Sequence, residues 1–127
     1  MNSKSKRGAL SPCNLFTMVN HKANLEVFEL LRERKLKPMD LGLIYYLCNY
    51  VNLSNSKISL TPSYVSEELG IRLADIQMGF KRLRDNFILG KGATRGVPFF
   101  MLNPRFCHIG DTNLQDKRLR EFHKLFD

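Results

Sequence analysis

Between Arg72 and Arg105 the chain carries the cations Arg72, Lys81, Arg82, Arg84, Lys91, Arg95 and Arg105 against only Asp75 and Asp85. Guanidinium and ammonium groups at this density suit the gripping of phosphate oxygens, which fixes a protein on nucleic acid without reading its sequence. Lys91 and Arg95 stand among Gly90, Gly92 and Gly96. That composition predicts a Gly-rich loop with a basic tip, suited to a phosphate strand or a minor groove. On a helical wheel Ile76, Phe80 and Leu83, with Phe87 just beyond, gather on one side, and Ala74, Met78, Lys81, Arg82 and Asp85 face the other way. The formal net charge of the whole chain is +8. Such an excess in a small protein favours a polyanionic partner, nucleic acid before an anionic membrane surface.

Other chemistries lack their residues. There is no P-loop, zincin, nucleophile-elbow or dinucleotide-binding fingerprint. Cys13, Cys48 and Cys107 are odd in number, far apart and outside any CxxC pair, which argues against a disulfide framework and for a reducing compartment. Cys107 and His108 are adjacent, but with only His21 and His123 elsewhere they lack the further ligands of a closed tetrahedral site. Tyr45, Tyr46 and Tyr50 read as packing residues, and Glu67 and Glu68 as solvated acids at a helix end. The expectation is a protein with no catalytic residue, no metal and no cofactor. No apolar run is long enough to cross a bilayer and no secretory signal is readable, so a cytoplasmic, nucleoid-associated protein is expected.

The elements that must hold these groups follow from pattern and punctuation. Residues 1–12, with Lys4, Lys6 and Arg7 among Ser, Asn, Gly and Pro, predict a flexible basic tail. A single domain is expected over 13–127, with its core over 39–110. Leu15 to Val19 reads as a strand, and Asn24 as the N-cap of a helix running to about Lys35. Pro38 reads as an interruption. A second helix starting near Asp40, with Leu41, Ile44, Tyr45, Leu47, Cys48 and Val51 inward, is apolar nearly all round and is expected at the centre. Ile58-Ser59-Leu60 alternates like a short strand. Thr61-Pro62 pairs an N-cap with a proline at the first helical position, opening a helix over 62–69. Gly70 is its left-handed stop. A further helix follows from about Leu73 to Asp85. Phe87 to Leu89, a loop over Gly90 to Gly96, and Val97 to Leu102 read as a hairpin, ended by Asn103-Pro104. Thr112-Asn113-Leu114-Gln115 reads as a capping box for a last helix over 112–125, whose Lys117, Arg118, Arg120 and Lys124 are assigned to solvent. The expected fold is mainly α with a small β-hairpin (α+β), a winged helix-turn-helix with extra N- and C-terminal helices.

The stretches LGLIYYLCNYVN from Leu41, ISLTPSYVSEELGI from Ile58, ADIQMGFKRLRDNFIL from Ala74 and GVPFFMLNPRFCHIGD from Gly96 together resemble the winged-helix plasmid replication proteins of the RepL type. They are similar, more loosely, to MarR-type regulators. The resemblance implies a fold that binds double-stranded DNA, homodimerisation, and work in plasmid replication or transcription control. It also implies a groove-facing set of Arg72, Leu73, Ala74, Gln77, Met78 and Lys81. Of these, Gln77 suits adenine and Arg72 suits guanine, whereas Ala74 and Met78 offer only apolar contact, for example to a thymine methyl. The sequence departs from the family where bases would be read, with Arg72 in place of a Ser or Thr cap, Leu73 and Ala74 in place of polar residues and Met78 in place of a basic one.

Sequence-selective duplex binding through Arg72, Ala74, Gln77, Met78, Lys81 and Arg82, with Lys91 and Arg95 on the wing, is therefore the leading expectation. The elements at 14–35 and 112–125 are expected to pair two copies. The rival is an interaction adaptor that uses the apolar face around Leu73, Ala74 and Met78 to bind a polymerase or replisome subunit.

Overall fold

Thr61 and Gly70 bracket a helix whose two ends are set by their own residue types. Thr61 is extended, and its Oγ1 accepts from the Tyr64 backbone N–H at 3.1 Å. Pro62 occupies the first helical position, where a missing N–H removes no bond. Gly70 closes the helix at φ 68°, in the left-handed region that side chains avoid.

The computed structural model describes residues 21–52, 54–106 and 112–126. Along them run α1 (His21–Arg32), α2 (Pro38–Cys48), α3 (Pro62–Leu69), α4 (Leu73–Asp85), β1 (Leu89–Thr94), β2 (Val97–Leu102) and α5 (Thr112–Lys124). The expected strand over 15–19 lies outside the described residues. The fold is a mainly helical winged helix: α3 and α4 form the helix-turn-helix pair, and β1 and β2 form the antiparallel wing.

Several boundaries differ from expectation for local reasons. α1 is already helical at His21, so Asn24 is inside it rather than capping it. It ends at Arg32, and Arg34 takes the left-handed position (φ 63°) that lets the N–H groups of Lys35 and Leu36 return to the Leu30 carbonyl. Pro38 starts α2 instead of interrupting the chain. Its neighbour Lys37 is the N-cap residue, whose N–H donates to Asp40 Oδ2 at 2.8 Å. Asp40, Leu43 and Leu47 are the buried residues of α2, and Leu41, Ile44 and Cys48 are partly buried against the same core as expected, whereas Tyr45 is 67% exposed. A helix apolar on nearly every side gives periodicity nothing with which to orient it.

The wing is longer than the sequence predicts. β1 continues through Gly90 and Gly92 to Thr94, and the turn is only Arg95-Gly96, both at positive φ (53° and 81°). A two-residue turn with both centres left-handed matches the right-handed twist of the strands it joins. Gly90 and Gly92 make room for α5. A Cβ at Gly90 would stand 2.8 Å from Leu125 Cδ1, and one at Gly92 would stand 2.8 Å from Leu125 Cδ2 and from Phe99 Cζ. Ile58 contributes a single β-bridge, exchanging backbone hydrogen bonds with Phe100.

Two apolar clusters hold the frame. The larger joins Leu43, Leu47, Val65, Ile76, Phe80, Leu83, Ile88 and Phe100, with the Phe80 and Phe100 rings edge to face at 5.0 Å. The smaller joins Phe99 and Met101 of the wing to Phe122 of α5, with Leu125 against them. The Gln115 amide donates to the Pro104 carbonyl at 2.9 Å. Arg118 is not on the expected solvated face. It is buried, donating to Glu121 and to the Ser54 carbonyl.

Candidate nucleic-acid interface

α4 has an inner and an outer side, and each residue's place follows from its angle. Ile76, Gly79, Phe80 and Leu83 are buried. Leu73, Ala74, Gln77, Met78 and Lys81 are exposed, and they recur at the three- and four-residue steps of one helical stripe. A helix about 10–12 Å across fits a major groove about 12 Å wide. The exposed stripe therefore has the right shape to meet base edges.

The inner side is locked against α2 by a device that the sequence reading missed. Asp40 is fully buried, and its carboxylate accepts from Arg82 Nε at 2.7 Å and from Arg82 Nη2 at 3.0 Å, as well as from the Lys37 N–H. This bidentate hold on the carboxylate raises the Arg82 pKa further above its ordinary value. Gly79 lets the helices approach: a Cβ there would stand 2.6 Å from Leu43 Cδ1 and 3.1 Å from Asp40 Oδ1. Arg82 is thus drawn under α4 rather than outward with Lys81. The available signal was Asp40 itself, a lone acid in an otherwise apolar helix, which needs a cation when buried.

A second clamp fixes α3. The hydroxyls of Tyr46 and Tyr50 both donate to Glu68 Oε1, the latter at 2.7 Å, and the Tyr64 hydroxyl stands 3.5 Å from Glu68 Oε2. Glu68 is therefore not the merely solvated acid expected. Its pKa is lowered, first by the Tyr46 hydroxyl and then by that of Tyr50. The phenols move the opposite way: burial and then the Glu68 bond raise Tyr46, and the Glu68 bond leads for Tyr50. Phenols so held are poor nucleophiles at neutral pH. They tie the end of α2 to α3 and so set the angle at which α3 braces α4.

The other cations of the expected contact set stand in two places. At the N-cap of α4, Arg72 is exposed and pairs with Asp75 (Nε to Oδ2, 3.0 Å), and within the helix Lys81 pairs with Asp85 (2.8 Å). Exposed pairs of this kind contribute about 0–1 kcal/mol each, so a phosphate can displace the carboxylate easily. On the wing, Lys91 and Arg95 are exposed, with Arg95 at the tip. Lys57 joins them, donating to Thr94 Oγ1 at 3.0 Å and lying 4.5 Å from the Phe99 ring centre. It went unnoticed in the sequence because the Ile58–Phe100 bridge that carries it there is a long-range pairing.

A family model described as Firmicute plasmid replication protein (RepL) matches residues 15–127. The chain belongs to the RepL family. Within this RepL chain the match takes in every described element and both clamps. No curated protein and no solved structure matches it. Among the described residues, no group of three or more His, Cys, Asp or Glu could hold a metal, and no helix is long and apolar enough to cross a membrane.

Proposed function

We propose that this RepL-family chain binds double-stranded DNA sequence-selectively and acts, without enzymatic activity of its own, in the control of plasmid replication in the cytoplasm. The observation that carries the reading is the outer stripe of α4. Ala74, Gln77, Met78 and Lys81 stand exposed on a helix whose opposite side is locked by Asp40–Arg82 and Gly79. A rigid, outward-facing helix flanked by a basic wing suits insertion into a major groove. Gln77 reads bases, Arg72 and Lys81 exchange their carboxylates for phosphates or base acceptors, and Lys91 and Arg95 hold the backbone at the wing. Arg82 moves from the contact set to the supporting set.

A pair of copies would double the footprint on a palindromic site. Leu25 and Phe28, three residues apart on α1 and each more than half exposed, are the residues best placed for that pairing. α5 is less suited to it, because Phe122 is already covered by the wing. The adaptor reading keeps one supporting observation, the exposure of Met78 (53%) and Leu73 (39%) on the same stripe.

Selection of bound fragments from a random duplex pool tests the reading. The parent is expected to enrich a defined site. Gln77→Ala is expected to relax the choice at one base position, by about 1–3 kcal/mol of discrimination, while keeping its non-specific affinity. Enrichment of no site, together with stoichiometric capture of a replisome protein, would favour the adaptor.

A further inference from the structure

Beyond the C-terminal end of α4 lies an open groove of about 590 Å³ lined by Lys81, Arg84, Asp85, Phe87 and Phe126. Its size falls in the range of about 300–1,000 Å³ typical of small-ligand sites. Phe87 is 57% exposed and Phe126 37% exposed. Their rings lie 4.9 Å apart, and Phe126 in turn packs at 5.2 Å on Phe122, which is fully buried. An aromatic ladder therefore runs from the core to the surface and ends on an exposed ring.

Phe87 is held in this outward position. Its φ is 59°, a region that bulky residues rarely adopt. Its carbonyl accepts from the Nδ2 of buried Asn103 at 2.8 Å, and the Asn103 N–H donates to the Ile88 carbonyl at 2.8 Å. The Phe87 N–H donates to the Arg84 carbonyl at 3.1 Å. These bonds close the bend that turns the ring away from the core where Ile76, Phe80 and Leu83 sit. Phe87 is thus the left-handed residue that ends α4, where the Ile88 N–H also returns to the Leu83 carbonyl at 2.9 Å.

The charges beside the ring suit a phosphate. Arg84 has no ion-pair partner among the described residues, and Lys81 has only the exposed Asp85. A flat apolar face next to a cation is the design that binds single-stranded nucleic acid, with a base stacked and its phosphate paired. Geometry sets what can reach it. The thirteen residues of α4 span about 20 Å at 1.5 Å per residue, against a major groove about 12 Å wide. With the N-terminal half of α4 at the base edges, Phe87 stands outside the groove, where an intact duplex offers no base face.

We infer that the groove between Phe87, Phe126 and Arg84 binds an unpaired nucleotide of DNA adjoining the duplex on α4, so that the protein favours locally opened sites. The inference rests on duplex binding by α4 and deepens it.

The test compares a fully paired duplex with the same duplex containing a short unpaired loop, by fluorescence anisotropy at one salt concentration. Stacking is worth about 1–3 kcal/mol per base, so the parent is expected to bind the looped DNA about tenfold more tightly. Phe87→Asn tolerates positive φ. It is expected to abolish that preference while leaving paired-duplex affinity unchanged, and Phe87→Trp is expected to retain the preference. With 5-iodouracil in the loop, irradiation is expected to crosslink Phe87 or Phe126. Duplex binding with no preference for the looped DNA would overturn this inference alone, and binding to neither DNA would overturn the duplex reading with it. Loss of self-association in Phe87→Asn, seen by sedimentation, would assign the groove to a second copy and also overturn the inference.

Discussion

The two sides of α4 carry ion pairs of opposite kind. Asp40–Arg82 lies beneath the helix, with the Asp40 side chain fully buried and that of Arg82 18% exposed. Lys81–Asp85 lies on top, with both side chains more than half exposed. Arg82 follows Lys81 directly in the chain, yet one residue of rotation, about 100°, separates a largely buried guanidinium from an exposed ammonium. Asp40 is shut off from solvent, so water does not compete for its carboxylate and the pair fixes α4 on α2. The exposed pair is exchangeable, so it leaves a lysine ready for another anion. Rigidity below and replaceable charge above are the combination that a reading helix requires.

Removal of single partners should expose this contrast. Asp40→Ala leaves the Arg82 cation without its carboxylate in a largely buried place. A loss of about 3–5 kcal/mol in unfolding free energy is expected by urea denaturation. Asp85→Ala should change it by no more than about 0.5 kcal/mol. Similar losses in the two variants would erase the distinction between the faces. Gly79→Leu comes next in size. Its side chain must displace Leu43 and Asp40, so a loss of about 1–3 kcal/mol or more is expected, with weaker DNA binding because α4 is lifted from its seat.

The smallest effect is a pH dependence. The Arg105 guanidinium holds Glu26 below the ordinary value of 4.5, and the tyrosine hydroxyls do the same for Glu68. The unfolded chain takes up these protons first as pH falls. Stability from both carboxylates is therefore present above about pH 4.5 and is lost as pH drops through the lowered folded values. Thermal midpoints measured from about pH 6 to pH 3 should decline less steeply in a Glu26→Gln, Glu68→Gln double variant than in the parent. Equal slopes would show that neither bond favours the folded state.

Sequence legibility divided along the same line as the ion pairs. Where the determinant is local, residue types were enough. Thr61-Pro62 and Gly70 bound α3 as expected, and the apolar stripe of Ile76, Phe80 and Leu83 placed α4 between Leu73 and Asp85. Where it is a distant partner, they were not. Gly90 and Gly92 look like loop glycines until Leu125, just beyond α5, is seen to need their space. Phe87 reads as a core residue until Asn103 is found to hold its bend. Arg82 reads as an outward contact residue until Asp40 is found to draw it in. Glu68 gains its role only when Tyr46 and Tyr50, on the other side of a turn, come within reach.

The most direct measurement is the salt dependence of duplex binding for the parent, Lys81→Gln and Arg95→Gln. If α4 and the wing grip phosphates, the logarithm of the parent's binding constant falls linearly with the logarithm of salt concentration, and each variant lowers the magnitude of that slope by about 1. No duplex binding at about 50 mM salt, or slopes identical in all three proteins, would contradict it.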